Sequence, residues 1–155
     1  MRKKTVCLLA LAPILGLLSG CTSADAGNEG KAKYDITVVA VTVDDGGVIR
    51  ACRIDSIPAT VSFDQNGVIT SELADQVPTK NELGDDYGMK RCVGSAYEWN
   101  EQADALARYA VDKTVEQLKN GAVDETGHAA DADLASTATI SIGGFQALIA
   151  KVAEQ

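Results

Sequence analysis

From Tyr34 to Val43 the chain alternates, with Ile36, Val38, Val39, Val41 and Val43 as its β-branched positions. That period predicts a strand. Asp44-Asp45-Gly46-Gly47 reads as a turn, and Val48 to Ile57 as a second strand. Pro58 is expected to end it, because proline has no N–H for a ladder. Thr60–Phe63 and Val68–Thr70 read as two shorter strands around Asp64-Gln65-Asn66-Gly67. Asp44–Ile49 and Asp64–Ile69 share the form Asp-x-x-Gly-Val-Ile, so two hairpins with one turn chemistry are predicted, glycine supplying the positive φ. A calcium loop is the other reading of these turns. Neither has the ligand spacing or the distant Glu that such a loop needs.

Ser71 to Gly94 is long and polar, with Pro78, Gly84 and Gly88 inside it. Thr79-Lys80-Asn81-Glu82 has the form of a capping box over one short helical turn. Lys80, Lys90 and Arg91 cluster here, with Tyr87 and Tyr97 near them. The segment reads either as a cover over a ligand, with cations for a phosphate and a ring for stacking, or as a solvated loop. At Ser95 the period changes. Ser95 and Glu98 form a second capping-box pattern. Trp99, Ala103, Leu106, Ala110, Thr114 and Leu118 then recur at helical spacing, joined by Val111 and Val115. One helix is expected to run to Asn120 and stop at Gly121. Trp99 is read as a core anchor. Ala122–Ala132 is an acidic loop in which His128 is a surface residue. Ile142, Phe145, Leu148, Ile149 and Val152 predict a last amphipathic helix with Ser141 as its N-cap. Strands first and helices after them argue for an α+β fold, a small antiparallel sheet of two hairpins packed by one long helix and a C-terminal helix.

Ahead of this body, Arg2, Lys3 and Lys4 precede an apolar run from Val6 to Leu18 that ends in Ser19-Gly20. This is the pattern of a secretory signal, and it is short for a membrane span. Leu18-Ser19-Gly20-Cys21 resembles the bacterial lipobox, which implies cleavage before Cys21 and lipid on its sulfur. Two or more acyl chains anchor a protein stably. The expected organisation is therefore a signal peptide over 1–20, a flexible tether over 21–33 and one domain over 34–155. The location expected is the extracytoplasmic face of the cell membrane. Of 14 basic and 22 acidic residues the leader holds three basic and no acidic ones, so the remainder carries −11 with His128 neutral. That surface repels nucleic acid and anionic lipid, so membrane contact is expected through the lipid.

Four cysteines are present. Cys7 lies in the leader and Cys21 at the lipid site, which leaves Cys52 and Cys92. Outside the cytoplasm such a pair suggests a disulfide; two small buried thiols are the other reading. One histidine and no Cys-x-x-Cys argue against a metal site.

Chemistry is suggested at one place. Asp133-Leu134-Ala135-Ser136-Thr137-Ala138-Thr139 runs directly into Ile140-Ser141-Ile142-Gly143-Gly144. Amides of Ile142, Gly143 and Gly144 at the start of the last helix favour an anion, and the glycines allow close approach. A capped helix with nothing bound makes the same pattern. The stretch resembles the motif Asp-x-x-Ser/Thr-Gly-Ala-Thr of the FMN-binding domain family of bacterial membrane-attached redox proteins. Asp133, Ser136, Ala138 and Thr139 match it, and Thr137 stands where that family has glycine. The resemblance extends loosely over Tyr34–Gln155. It implies FMN at Thr139, esterified through the hydroxyl or held without a covalent bond. Asp133 would then serve the modifying enzyme or orient the loop, Ser141 and Gly143 would lie beside the phosphate, and the protein would relay electrons to membrane redox partners. The flavin would supply the chemistry. The chain is also similar to a group of secreted clostridial lipoproteins with the stretch P-T-K-N-E-L-G-D-D-Y-G-M-K. No catalytic triad, metal constellation or paired carboxylates are visible, which favours a flavin carrier or a binding module over a substrate-turning enzyme. The alternative is a non-enzymatic cell-surface module whose Thr79–Arg91 loop binds a small ligand or a protein.

Overall fold

The alternating β-branched residues carry the chain straight from Gly30 to Val43 as β1 and back from Ile49 to Phe63 as β2. The computed structural model describes residues 30–72 and 77–155, and among these the one sheet is this antiparallel ribbon. The leader, Cys21 and the tether up to Glu29 lie outside the described residues. The tether, expected to reach Lys33, gives way to strand at Gly30. Lys31-Ala32-Lys33 keeps the two-residue period and pairs with Thr60–Ser62.

Pro58 does not end β2. It sits inside the strand opposite Asp35. Each strand of a two-stranded ribbon has one side without a ladder partner, where a proline is tolerated. The second predicted hairpin shrinks accordingly to one bridge, between Phe63 and Ile69. Its turn chemistry holds. Asp64 Oδ1 accepts from the amides of Asn66 and Val68 at 2.8 and 2.9 Å. Asp44 Oδ1 accepts from Gly46 and Val48 at 2.9 and 3.0 Å. A third copy, not anticipated, lies at Asp124, whose Oδ1 accepts from Thr126 and His128 at 2.8 and 3.0 Å. Gly47, Gly67 and Gly127 close the three turns at φ +75°, +80° and +85°, where a side chain would be strained.

After the ribbon come α1 (Lys80–Leu83), a 3₁₀ turn (Gly84–Tyr87) and α2 (Met89–Val93). The Thr79 capping box with Glu82 is formed as its sequence predicts. The single long helix is instead two, α3 (Trp99–Ala110) and α4 (Val115–Gly121). The break has a cause. Asp112 takes φ +63°, its amide donates to the Ile49 carbonyl at 2.8 Å, and the Ile49 amide donates to Lys113 at 2.9 Å. The connection is thus stitched to the start of β2. Thr114 then starts α4 with a capping box to Gln117. The box expected at Ser95 is also displaced: Glu98 is the N-cap of α3, and its amide donates to Glu101 at 2.7 Å. α5 (Ala132–Ala135) and α6 (Gly143–Ala153) complete the chain.

α3 lies against β2, α6 against β1 and α4 against α6. The architecture is therefore α+β. Ile54 and Cys52 of β2 face Leu106, Ala103 and Ala107 of α3 in one core with Ile49, Leu118, Ile142 and Ile149. Burying each large aliphatic side chain is worth about 1.5–3 kcal/mol. Trp99 is buried as expected, and its ring meets Phe145 edge-on at 5.8 Å.

Candidate functional site

Three consecutive inward positions at the start of α3 organise one end of the domain. Glu98, 2% exposed, accepts from the Met89 and Lys90 amides at 2.7 and 3.0 Å, and so caps α2. Trp99 fills the space behind α2. Gln102, fully buried, donates to the Tyr97 carbonyl at 3.1 Å and to Ser95 Oγ at 3.3 Å. Its Oε1 accepts from Thr139 N at 2.8 Å, Thr139 Oγ1 at 3.0 Å and Ile140 N at 3.0 Å.

The residues singled out by the motif are placed as follows. Asp133 is exposed in α5, whose N-cap is Asp131. Ser136 is exposed, and its hydroxyl donates to the Asp133 carbonyl at 2.6 Å. Ala138 is buried in the core. The Thr139 hydroxyl is engaged with Gln102. Ser141 is not the N-cap of α6; Ile142 is, without a side-chain cap. The Ser141 hydroxyl donates to the Gly127 carbonyl at 3.2 Å. That same carbonyl accepts from Ile142 N at 2.8 Å and Gly143 N at 3.1 Å. Two of the three amides expected to face an anion are thus taken by the chain itself. The approach is close: a Cβ on Gly143 would lie 3.4 Å from Gly127 Cα, and one on Gly127 3.0 Å from Ser141 Oγ.

Two of the three expected cations are committed as well; Arg91 is exposed on α2, with no ion pair among the described residues. Lys80, read from sequence as a phosphate cation, is buried. It pairs with Asp35 and lies 4.8 and 5.1 Å from the ring centres of Trp99 and Tyr87. Lys90 pairs with Glu101 at 2.7 Å, and its pKa is raised chiefly by that hydrogen bond. The expected Cys52–Cys92 disulfide is not formed. Cys52 is buried on the inner face of β2, Cys92 is exposed on α2, and both are free thiols. The two strands and the α2 turn hold them in different surroundings. Burial pushes the Cys52 thiol up to about 11.

What the arrangement leaves open is a cleft of about 570 Å³ between α2 and the start of α6. Tyr87, Met89, Trp99, Ile140 and Phe145 line it, with Cys92 and Ser141 adding polarity. Such a surface takes a flat, largely apolar molecule by stacking and edge contacts. It offers little to an anion.

No family model matches the chain, and comparison with curated proteins and with solved structures likewise returns no match.

The sequence reading missed Gln102 and the cleft. The signal for Gln102 was present: a polar residue three positions after Trp99 and four before Leu106, on the stripe that must be buried. The cleft had no such signal, since its lining joins Tyr87, Met89, Cys92 and Trp99 to Ile140, Ser141 and Phe145, about 40 residues further along the chain.

Proposed function

We propose that the chain is an extracytoplasmic lipoprotein, held to the membrane through Cys21, whose domain binds a flat apolar or aromatic ligand in the cleft between α2 and α6. The anchor rests on the Leu18-Ser19-Gly20-Cys21 pattern. The binding reading is carried by the cleft, where Trp99, Phe145 and Tyr87 converge and no cationic side chain is among the lining residues. Turnover is not needed for it, and the site is that of a carrier or sensor.

A flavin is the second reading, because the cleft lies against Ile140 and Ser141, which directly follow Thr139. The phosphate end of FMN does not fit. The Thr139 hydroxyl is given to Gln102, and Gly127 occupies the amides before α6. A flavin is therefore proposed only in noncovalent form, its ring in the cleft.

Trp99 is the one tryptophan of the chain, so its emission reports the cleft directly. The full chain in mild detergent is titrated with neutral N-phenylnaphthylamine, riboflavin and FMN. Saturable quenching by the neutral probes, weakened about tenfold by Phe145→Ala, is the expected result. FMN binding no better than riboflavin is expected from the capped helix start. Absence of any saturable change would sink the binding reading, and FMN binding far tighter than riboflavin would restore a phosphate site.

A further inference from the structure

The two edges of the ribbon are treated differently. β2 has its outer edge occupied at three places. Ile49 exchanges hydrogen bonds with Asp112 and Lys113, the Ile54 carbonyl accepts from Asn81 Nδ2 at 2.9 Å, and the Ser62 carbonyl accepts from the Thr70 amide at 2.8 Å. Among the described residues no hydrogen bond reaches a β1 backbone group except from β2. β1 is 14 residues long, about 46 Å, and among the described residues its outer edge has no hydrogen-bond partner. Its solvent face is apolar: Tyr34, Ile36 and Val38 are 45%, 52% and 53% exposed. Natural edges of this length are normally blunted by charge, proline or a bulge; β1 has a register shift at Thr42/Val43, far from the exposed stripe, and its charges, Lys31, Lys33 and Asp35, lie on the face opposite Tyr34, Ile36 and Val38.

We propose that β1 pairs antiparallel with β1 of a second copy of this chain, across a two-fold axis at Tyr34. The charge pattern selects that occupant. Lys33 and Asp35 flank Tyr34 on the opposite face, and a two-fold there sets each Lys33 against Asp35 of the second copy. Lys33 has no ion-pair partner among the described residues, and Asp35, though bound to Lys80, keeps 47% of its side chain exposed. A two-fold at Lys33 would instead set the two Lys33 side chains against each other, which is destabilising. On the other face the same register sets Tyr34 beside Tyr34 and Ile36 beside Ala32. The product is a four-stranded sheet with a continuous apolar outer face, and sheets of three or more strands are stable where a lone ribbon is marginal. The interface is isologous and closes on itself. Pairing over residues 30–38 covers less than the roughly 800 Å² per partner of a tight complex, so the dimer dissociates in the micromolar range. The proposal does not depend on what the cleft binds.

The test uses the full chain in mild detergent, in a Cys92→Ser background. Residues opposite each other on antiparallel strands have Cα atoms about 4.5–5.5 Å apart, within reach of a disulfide. Tyr34→Cys should give an oxidised dimer, its linked peptide identified by mass. Thr42→Cys, exposed but outside the paired stretch, should give little. Ile36→Lys should abolish the crosslink at position 34 without changing the far-ultraviolet circular dichroism, and Lys33→Asp should reduce it severalfold. A folded protein that fails to crosslink at 34, or crosslinks equally at 34 and 42, overturns the proposal. So does an Ile36→Lys variant that loses vesicle binding while the parent protein runs as a single chain, which would make this face a lipid contact.

Discussion

Gln102 Oε1 is a shared acceptor for Thr139, 2.8 Å from its amide nitrogen and 3.0 Å from its hydroxyl. With the Ile140 amide as a third donor, one side-chain atom on α3 fixes the chain between α5 and α6. Gln102→Met keeps the volume and removes the acceptor. Two amides then lose their partner; Thr139 is exposed and Ile140 half-buried, so water replaces part of the bonding and the cost falls at the low end of the about 1–3 kcal/mol for a group left unsatisfied. A loss of about 1–2 kcal/mol is expected in urea unfolding with unchanged slope. Probe affinity in the cleft should fall too, because Ile140 is one of its walls.

Thr139→Val tests the hydroxyl separately. It removes one of three donors and leaves both amides in place, so the expected cost is about 1 kcal/mol. Protein isolated from its own membrane should show no flavin fluorescence on a denaturing gel, and the variant should look the same. A fluorescent band that disappears in Thr139→Val would mean that the hydroxyl leaves Gln102 to carry a phosphate ester.

The two thiols should behave as different species. Alkylation of the native protein, mapped by mass, should label Cys92 and spare Cys52; unfolding should expose Cys52. The folded thiol of Cys52 titrates at about 11 against 9.0 for a free one. Above pH 9 the unfolded chain releases this proton first. The stability it contributes is therefore complete below pH 9 and is lost as pH rises from 9 to about 11. Cys52→Ala should flatten that part of the profile. Equal labelling of both cysteines in the native state would contradict the placement.

Local chemistry was readable in the sequence, and what depended on distant contacts was not. The Tyr34–Val43 alternation, the Thr79–Glu82 box and the Trp99 stripe all act within a few residues, and each is found in the structure. The α3–α4 break was hidden because Val111, Thr114, Val115 and Leu118 stay in helical phase across it. It is imposed by Ile49, more than 60 residues earlier in the chain. Thr114-Val115-Glu116-Gln117 carried a capping-box pattern that marks the restart. Pro58 was read by a rule for central strands, and this ribbon has none. At the candidate site the motif's position was legible. Whether its hydroxyl and amides were free was not, since Gln102 and Gly127, which engage them, lie 37 and 14 residues from Thr139 and Ser141.

Acid should act through the three aspartate turns. Asp44, Asp64 and Asp124 each have a pKa lowered from 3.8. The largest cause is the Val48 amide for Asp44, the Val68 amide for Asp64 and the Thr126 hydroxyl for Asp124. The unfolded chain takes up these protons at higher pH than the folded one. The stability they contribute is present above about 3.8 and is lost as pH falls through the lower folded values. Asp124 is exposed and Asp44 and Asp64 are half-buried, and most of the lowering comes from hydrogen bonds, so salt should moderate only the charge part, chiefly Arg50 at Asp44. Unfolding midpoints in urea should drop steeply below pH 4. Asp64→Asn should remove part of that slope, because an amide oxygen accepts the same backbone bonds without titrating. Asp124→Asn should remove a comparable part, whereas protonation of Asp124 itself weakens its turn and loosens Gly127, whose carbonyl holds Ser141, Ile142 and Gly143. The cleft beside Ser141 should then lose probe affinity in acid before the domain unfolds, and Trp99 emission recorded against pH, with and without the neutral probe, measures both events on one sample.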